Sequence, residues 1–292
     1  MRVFITGGAG LVGSAVVTEL LTHGHSVLAL ARSDASAAAL QGVGAEPLRG
    51  GLADLDTLRA GAARTDGVIH LAFSNDFSSP TALAAGVAEE AGALAVLGDE
   101  LLGSERSFIT VSGTPRVAGR ASTEADPLST DGPVGGRSRS VAAVLELAAH
   151  GVRSAAIRLP RTVHNQGAGG FAGILTTIAR RSAVSSYPGA GTQRWPAVHA
   201  LDAAVLFRLV LENAAAGTSW HAVADEGDAV RDIATVIGRR LGLAVQAVAE
   251  ETFGALGPIF ATDQPSSSAY TRAELGWQPS HPSLLRDLEN IS

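Results

Sequence analysis

Residues 6–13 form a glycine-rich turn whose composition and spacing suit the binding of a pyrophosphate. The turn follows the apolar residues 2–5 and precedes an apolar run at helical spacing over residues 11–22. Between a strand and a helix, such a turn lets backbone N–H groups approach an anion, because glycine has no Cβ to block the approach and the helix dipole favours negative charge. We therefore predict a dinucleotide site here, built from Thr6, Gly7, Gly10, Leu11, Val12 and Gly13.

The end of the second predicted strand, residues 26–31, bears on the choice between NAD and NADP. An acid at this point would accept the ribose 2′-hydroxyl of NAD, whereas an arginine accommodates the 2′-phosphate of NADP. The strand ends in Ala31 and is followed by Arg32, Ser33 and Asp34. We predict NADP, held at this end by Arg32 and Ser33, with a solvated surface role for Arg32 as the alternative. Asp34 is expected to cap the helix at 35–40.

Six apolar strands alternating with helices are needed to position these residues. The strands are predicted at 2–5, 26–31, 46–48, 67–72, 107–112 and 154–159. Alternation of this kind predicts an α/β fold with a doubly wound parallel sheet, the Rossmann arrangement. We place a dinucleotide-binding domain at residues 1–163 and a smaller substrate lobe at 164–292, some of whose segments can return to the sheet. Ser112 and Thr114 stand at a strand's carboxyl end, the edge where ligands bind in such sheets.

Composition excludes several function classes. All 22 basic residues are Arg, so lysine Schiff bases and a phosphate-loop lysine are excluded. The 28 acidic residues give a net charge of −6 with no basic run, which disfavours nucleic acid and anionic membranes as partners. There is no cysteine, and the histidines lack metal-ligand spacing, so we expect no metal site. We find no apolar stretch with the length and evenness of a membrane span and no signal peptide, and expect a cytoplasmic protein.

Motifs along the chain resemble those of the short-chain dehydrogenase/reductase superfamily, and most of all its extended branch, which includes NAD(P)-dependent epimerases and dehydratases. The matching motifs are Thr6-Gly7-x-x-Gly10-x-x-Gly13, His70-Leu71-Ala72, Val111-Ser112-Gly113-Thr114, Arg158-Leu159-Pro160 and Val198-His199-x-x-Asp202. The resemblance covers nearly the whole chain. It implies further cofactor contacts at Leu52, Leu71, Ala72 and Pro160.

The chain departs from that family at its catalytic pair. The family opens the helix that begins here near Gly136 with a Tyr and, four residues later, a Lys that lowers the Tyr pKa; the matching register holds Arg137 and Val141. The chain is thus similar to atypical members of the superfamily. The resemblance assigns Thr114 to the active-site Ser/Thr that hydrogen-bonds a substrate carbonyl, near Ser112. Arg137 can then offset the charge of an oxyanion, and His164 or Tyr187 can supply a proton.

Three functions remain open. The first is an NADP-dependent oxidoreductase that transfers a hydride to or from a small carbonyl or alcohol substrate with a non-standard proton donor. The second is an NADP-binding sensor without turnover, and the third is a sugar-nucleotide epimerase or dehydratase. Relatives often pair through two helices, here residues 80–102 and 138–150, which makes a homodimer possible.

Overall fold

Two units of structure make up the chain, which the computed structural model describes at residues 1–74, 76, 79–132 and 135–291. The first unit contains Met1–Ser112, Leu128–Arg158 and Ala204–Trp220. The second contains Gly113–Pro127, Leu159–Ala203 and the chain from His221 onward. The chain therefore passes between the two units several times.

A seven-stranded sheet lies at the centre of the first unit. Its strands are β1 (Arg2–Thr6), β2 (Ser26–Ala31), β3 (Glu46–Arg49), β4 (Gly67–His70), β5 (Ser107–Gly113), β6 (Arg153–Leu159) and β10 (Thr218–His221). Their order is β10-β6-β5-β4-β1-β2-β3, and the described pairings among β1 to β5 are parallel. The predicted parallel Rossmann sheet is confirmed, with β10 as a seventh strand where the sequence predicted six.

Helices follow the strands of this sheet and cover it. They are α1 (Leu11–Thr22), α2 (Asp34–Gly42), α3 (Leu55–Ala63), α4 (Pro80–Leu101), α5 (Gly135–Glu146) with a short 3₁₀ turn after it, and α7 (Ala200–Asn213), which begins in the second unit. The buried apolar side chains of strands and helices meet in one core, with Phe4, Leu58, Leu97 and Phe108 at its centre. Burial of this apolar surface is the main favourable contribution to the fold.

Helix α4 is long and apolar enough, by length and composition alone, to cross a membrane, which the sequence analysis did not anticipate. In the structure it packs against α3 and α5 and buries Leu94, Leu97 and Leu101. Its buried Glu90 is paired with an arginine of α5. This helix therefore has the packing of a core helix.

The second unit contains two small sheets. The strands are β7 (Thr162–His164), β8 (Val184–Pro188), β9 (Arg194–His199), β11 (Asp225–Ala229) and β12 (Ala244–Val248). They form a three-stranded sheet β11-β9-β7 and a pair β12-β8. The helices are α6 (Gly170–Ser182), α8 (Val230–Leu241), α9 (Gly257–Phe260), α10 (Ala269–Leu275) and α11 (Leu284–Leu288). Trp195 and Phe260 lie fully buried in the core that these elements share.

The N-terminus of α2 is capped by Ser33, and the prediction that Asp34 caps it is wrong. The Ser33 hydroxyl accepts a hydrogen bond from the backbone N–H of Ser36, and the Ser36 hydroxyl accepts one from the backbone N–H of Ser33. This reciprocal capping box satisfies two donors of the helix end. Asp34 is instead the first helical residue, and its carboxylate pairs with Arg49 at 3.1 Å.

Asp228 on β11 is expected to make stability depend on pH. Its Oδ2 is buried with no hydrogen-bond partner among the described residues, and burial, with Asp225 and Asp232 nearby, raises its pKa to about 6. A raised carboxyl pKa means that folding favours the neutral form, so the fold loses stability as pH rises from the unfolded pKa of about 4 through 6.

Asp228→Asn is therefore expected to raise the free energy of unfolding at about pH 8 by about 1–2 kcal/mol, a figure reduced to allow for partial solvent access, and to change little near pH 4. Urea unfolding at the two pH values measures this difference. Asp131→Asn, at an exposed carboxylate, serves as the control and should show no such pH dependence. An equal effect of Asp228→Asn at both pH values would contradict the expectation.

Candidate cofactor and active site

The glycine turn between β1 and α1 needs glycine at two positions for reasons internal to the protein. Gly7 has φ +75°, and a Cβ there would lie 2.8 Å from the backbone nitrogen of Ala72. A Cβ on Gly13 would overlap the carbonyl oxygen of Gly7. Glycine at these positions lets helix α1 pack closely on the turn.

Gly10 differs from these two glycines because neither its backbone conformation nor the packing around it requires glycine at this position. Its φ of −81° suits any residue, and the nearest atom to an added Cβ would be the Gly7 carbonyl oxygen at 3.4 Å, an ordinary contact. Gly10 is exposed on the wall of a cavity of about 680 Å³. It is also the N-cap residue of α1, whose first-turn N–H groups have no acceptor within the helix. Gly10 therefore keeps open the space in front of a helix N-terminus, as a pyrophosphate requires.

A second helix N-terminus lies at the other end of the same cavity. Arg32, Ser33 and Ser36 line it at the start of α2. Arg32 is exposed and forms no ion pair with any residue that the structure describes. The strand that precedes it, β2, ends in a buried alanine, so no carboxylate stands where NAD enzymes bind the 2′-hydroxyl.

The structure brings together seven of the predicted cofactor residues on the cavity wall. They are Gly7, Gly10, Arg32, Ser33, Leu52, Leu71 and Ala72. The other five do not line it: Thr6, Leu11, Val12, Gly13 and Pro160. Gly13 shapes the turn, and Pro160 is buried in the second unit. Ser36, Gly50, Gly51 and Phe73 also line the cavity, and the sequence analysis did not name them as contacts. Of these four residues, Gly50 and Gly51 could have been predicted as cavity residues, because they form a glycine pair directly after β3.

These residues fit a dinucleotide. The groove left by Gly10 and the first turn of α1 suits the pyrophosphate, and the start of α2 with Arg32 suits an anionic substituent on the ribose. A nicotinamide cofactor, when bound, supplies the hydride chemistry, and the residues of the chain supply binding and orientation.

Thr6 supports the cavity from beneath, with no side-chain exposure. Its hydroxyl accepts a hydrogen bond from the N–H of Ala72 at 3.3 Å and lies 3.0 Å from Nδ1 of His70. Burial, followed by the charge of Arg137, lowers the His70 pKa to about 4, so this histidine is neutral at pH 7. Its Nε2 finds no partner among the described residues. The Thr6–His70 contact ties the ends of β1 and β4 together.

Arg137, which the resemblance aligns with the family's Tyr, forms an ion pair with a buried acid. Its Nε and Nη2 donate to the two carboxylate oxygens of Glu90 at 2.7 and 2.8 Å, and its guanidinium lies 4.0 Å over the ring of Phe73. Glu90 is nearly fully buried. A bidentate pair of this kind is geometrically rigid. Two of the five N–H groups of Arg137 are therefore engaged by Glu90.

The two hydroxyls at the end of β5 have different surroundings. The Ser112 hydroxyl is buried without a partner among the described residues. Thr114 is buried and fixed at both backbone groups, its N–H by the carbonyl of Leu159 at 3.0 Å and its own carbonyl by the side-chain amide of Gln264 at 2.6 Å. No sequence signal marked Gln264, which lies 150 residues further along the chain.

His164 belongs to a buried cluster in the second unit. Its Nδ1 lies 2.8 Å from Asp287 Oδ2, which also accepts the N–H of Gly167 at 3.0 Å. The His199 ring packs edge-on against it with centroids 5.3 Å apart. Burial would raise the Asp287 pKa, but these hydrogen bonds and the nearby imidazoles hold it below its usual value. Its Nδ1 thus faces Asp287, and its Nε2 is buried with no hydrogen-bond partner among the described residues.

The donor atoms of this cluster lie within 4.8 Å of one another, which would allow a cation, although the sequence predicted no metal site. Two hydrogen bonds already occupy Asp287 Oδ2, and His199 Nδ1 accepts the N–H of Leu201 at 3.2 Å. Hydrogen bonds within and around these three groups account for their arrangement. We do not assign a metal to it.

Tyr187, the other predicted proton donor, lies half-buried on β8. Its ring packs against the core of the second unit. A Cβ at Gly191 would lie 2.6 Å from this ring, so the neighbouring turn closes over it. The position of the Tyr187 side chain is therefore explained by its packing against the core of the second unit.

A parallel sheet with a glycine turn after its first strand, and a cavity between two helix N-termini, defines a dinucleotide-binding fold. The family model described as "NAD dependent epimerase/dehydratase family" matches residues 3–224, and the chain belongs to that family. This confirms the resemblance to the extended short-chain dehydrogenases. The family includes oxidoreductases and dehydratases that use NAD(P).

Some of the known proteins similar to this chain are uncharacterised, and others have names that state an activity. The uncharacterised protein C2A9.02 of Schizosaccharomyces pombe is 41% identical over 99% of this chain and 98% of its own length. A 4-hydroxy-2-methyl-3-oxo-4-farnesyl-3,4-dihydroquinoline-1-oxide ketoreductase of Stigmatella aurantiaca is 42% identical over 25% of this chain and 22% of its own. DesIV, a dTDP-glucose 4,6-dehydratase of Streptomyces venezuelae solved with NAD, superposes with a TM-score of 0.81 at 19% identity, covering 99% of this chain and 95% of DesIV.

Gly10→Ala is expected to weaken NADPH binding by at least about tenfold while the protein still folds. The added methyl group would enter the pyrophosphate space, and the loss of a favourable N-cap residue would lower the free energy of unfolding by no more than about 1 kcal/mol. Titration of NADPH and urea unfolding measure the two effects. Gly13→Ala, the comparison, should lose stability far more severely, because its Cβ would overlap backbone. Unchanged NADPH affinity in Gly10→Ala would place the cofactor elsewhere.

Proposed function

We propose that the chain is an NADP-dependent oxidoreductase that transfers a hydride between the cofactor and a small carbonyl compound or its alcohol. The observation that supports the cofactor choice is the part of the cavity at α2, which Arg32 lines without an ion pair to any described residue and which the N-terminus of α2 borders. The ketoreductase name of the Stigmatella relative supports carbonyl reduction.

Thr114 is the proposed donor to the substrate carbonyl. Hydride transfer leaves negative charge on the carbonyl oxygen, and a fixed hydroxyl stabilises that charge without reorganising. Both backbone groups of Thr114 are tied, so its side chain starts from a defined backbone position. In the proposed reduction, Thr114 binds and orients the carbonyl while bound NADPH supplies the hydride.

The proton donor in this proposal is not the family's Tyr. Arg137 carries charge but is paired with Glu90, and Nδ1 of His164 is paired with Asp287. We propose that the proton reaches the alkoxide from solvent through the Thr114 hydroxyl. A turnover rate that is slow for this family would be consistent with that route.

To test the proposed function, cofactor binding and cofactor oxidation are measured in the same experiment. The protein is mixed with NADPH or NADH and a panel of ketones, aldehydes and oxoacids, and binding and cofactor oxidation are followed together. NADPH oxidation that depends on one class of carbonyl supports the proposal. Binding without any consumption would overturn it in favour of an NADP sensor, which the locked Arg137 at the catalytic position favours. Competition by a sugar nucleotide would favour an epimerase or dehydratase, the activity type of the structural neighbours.

A further inference from the structure

We propose that Gln264 and Arg161 are positioning residues that hold Thr114 in its hydrogen-bonding orientation. This inference rests on the proposed oxidoreductase function. All three residues belong to the second unit. Neither Gln264 nor Arg161 belongs to a motif in the sequence.

The hydrogen bonds run from Arg161 through the side-chain amide of Gln264 to Thr114. Arg161 donates to Gln264 Oε1 from Nε at 3.0 Å and from Nη2 at 2.8 Å. Gln264 Nε2 donates to the carbonyl oxygen of Thr114 at 2.6 Å and lies 3.4 Å from the Thr114 hydroxyl. Arginine can only donate and a carbonyl can only accept, so both ends of the Gln264 amide require the same orientation.

This orientation defines what the Thr114 hydroxyl can do. The amide nitrogen of Gln264 presents N–H to the hydroxyl oxygen, which therefore acts as an acceptor on that side. The hydroxyl proton is left free to donate elsewhere. A hydroxyl with its acceptor side occupied is prepared to donate to a substrate carbonyl.

Arg161 is more than a packing residue in this arrangement. Its guanidinium lies 5.4 Å from the ring centre of Phe171 and 5.9 Å from that of Trp195, and it also donates to the carbonyl of Ile259 at 2.8 Å. Burial, followed by the charge of Arg116, lowers its pKa to about 10, with Asp263 opposing, so it stays charged at neutral pH. Every described acceptor of its hydrogen bonds is a neutral oxygen.

A charged, half-buried donor paired with an amide oxygen strengthens the amide as a donor at its other end. Charge-assisted hydrogen bonds are shorter and stronger than neutral ones, and polarisation passes along a chain of hydrogen bonds. Gln264 Nε2 lies 2.6 Å from the Thr114 carbonyl oxygen, within hydrogen-bond distance. In the proposed arrangement, the positive charge of Arg161 acts on Thr114 through Gln264.

The test is a double-mutant cycle. Gln264→Glu keeps the side chain's shape and its bond to Arg161 but removes the donor to Thr114, so we expect kcat to fall at least about tenfold with the Kd for NADPH unchanged. The same substitution in a Thr114→Ala background should change kcat by less than about twofold, because the group that Gln264 positions is gone. Losses that multiply in the double variant would overturn the inference.

Arg161→Met and Arg161→Lys provide a second measurement. The methionine variant should lower kcat without changing the Kd for NADPH, and lysine, which keeps the charge, should restore part of it. Gln193→Glu is the matched control, since Gln193 is another buried amide of this unit that donates to the carbonyls of Pro188 and Phe260. A loss in Gln193→Glu as large as in Gln264→Glu, or no loss in Arg161→Met, would overturn the inference.

The failure of this inference and the failure of the proposed function give different results. Wild-type protein that consumes no NADPH with any carbonyl overturns both. Wild-type turnover that Thr114→Ala abolishes but Gln264→Glu leaves intact overturns the positioning role alone. Unfolding curves of each variant identify losses of activity that come from instability.

Discussion

Arg32→Ala is expected to weaken NADPH binding by about 10- to 100-fold and to leave NADH binding within about twofold of the wild type. In the proposed NADPH complex, the substitution would remove a charge-assisted hydrogen bond to the 2′-phosphate, a contact of about 1.5–3 kcal/mol, and NADH has no such phosphate. Arg32 is exposed on the cavity wall, so its loss should cost little stability. Fluorescence titration with both cofactors measures the ratio of the two dissociation constants.

Salt provides a second readout of the same contact. An ion pair at an exposed site is screened, so wild-type NADPH affinity should fall with ionic strength more steeply than that of Arg32→Ala. Arg59→Ala, which removes an exposed arginine paired with Asp56 on α3, is the control and should leave both affinities unchanged. An equal loss for NADPH and NADH, or a wild type that prefers NADH, would contradict the assignment of NADP.

Thr114→Ala is expected to lower kcat by about 100-fold with little change in the Kd for NADPH. Removing one donor to a developing oxyanion costs about that factor in enzymes where it has been isolated. Thr114→Ser keeps the hydroxyl and should retain most of the activity. Steady-state kinetics with the best carbonyl of the panel, together with NADPH titration, separate the two effects.

Thr262→Ala is the matched control for Thr114→Ala. Its hydroxyl donates to the Pro258 carbonyl within the same unit, and no described hydrogen bond joins it to Thr114, so kcat should stay near the wild-type value. Full activity of Thr114→Ala would show that a different group binds the carbonyl.

The sequence was sufficient for the sheet because its strands are nearly continuous apolar runs separated by helices and glycine turns. It was sufficient for β12, predicted at 244–248, but insufficient for β7, β8, β9 and β11 of the second unit, which are short and atypical. β9 contains Pro196, and β11 reads Asp-Glu-Gly-Asp-Ala, with no apolar alternation. Pairing with neighbours distant in sequence, rather than local preference, makes these segments strands.

Some residues of the candidate site could be predicted from local motifs, and others could not. Local motifs were enough to predict Gly7, Gly10 and Arg32 on the cavity wall, because one turn and one strand end place them. The support of Thr114 could not be predicted, since Arg161 and Gln264 lie 103 residues apart and meet only in the folded unit. The same holds for the cluster around His164, whose acid lies 123 residues away.

The pair between Arg137 and Glu90 also bears on how this chain can change. Glu90 is 2% exposed, and the structure describes no other cation that pairs with it. Arg137→Tyr would leave this buried carboxylate without compensation, which is strongly destabilising. A variant with tyrosine at position 137 would therefore also need a neutral residue at position 90, on a different helix. The ion pair thus couples the two positions, because a substitution at one is tolerated only together with a substitution at the other.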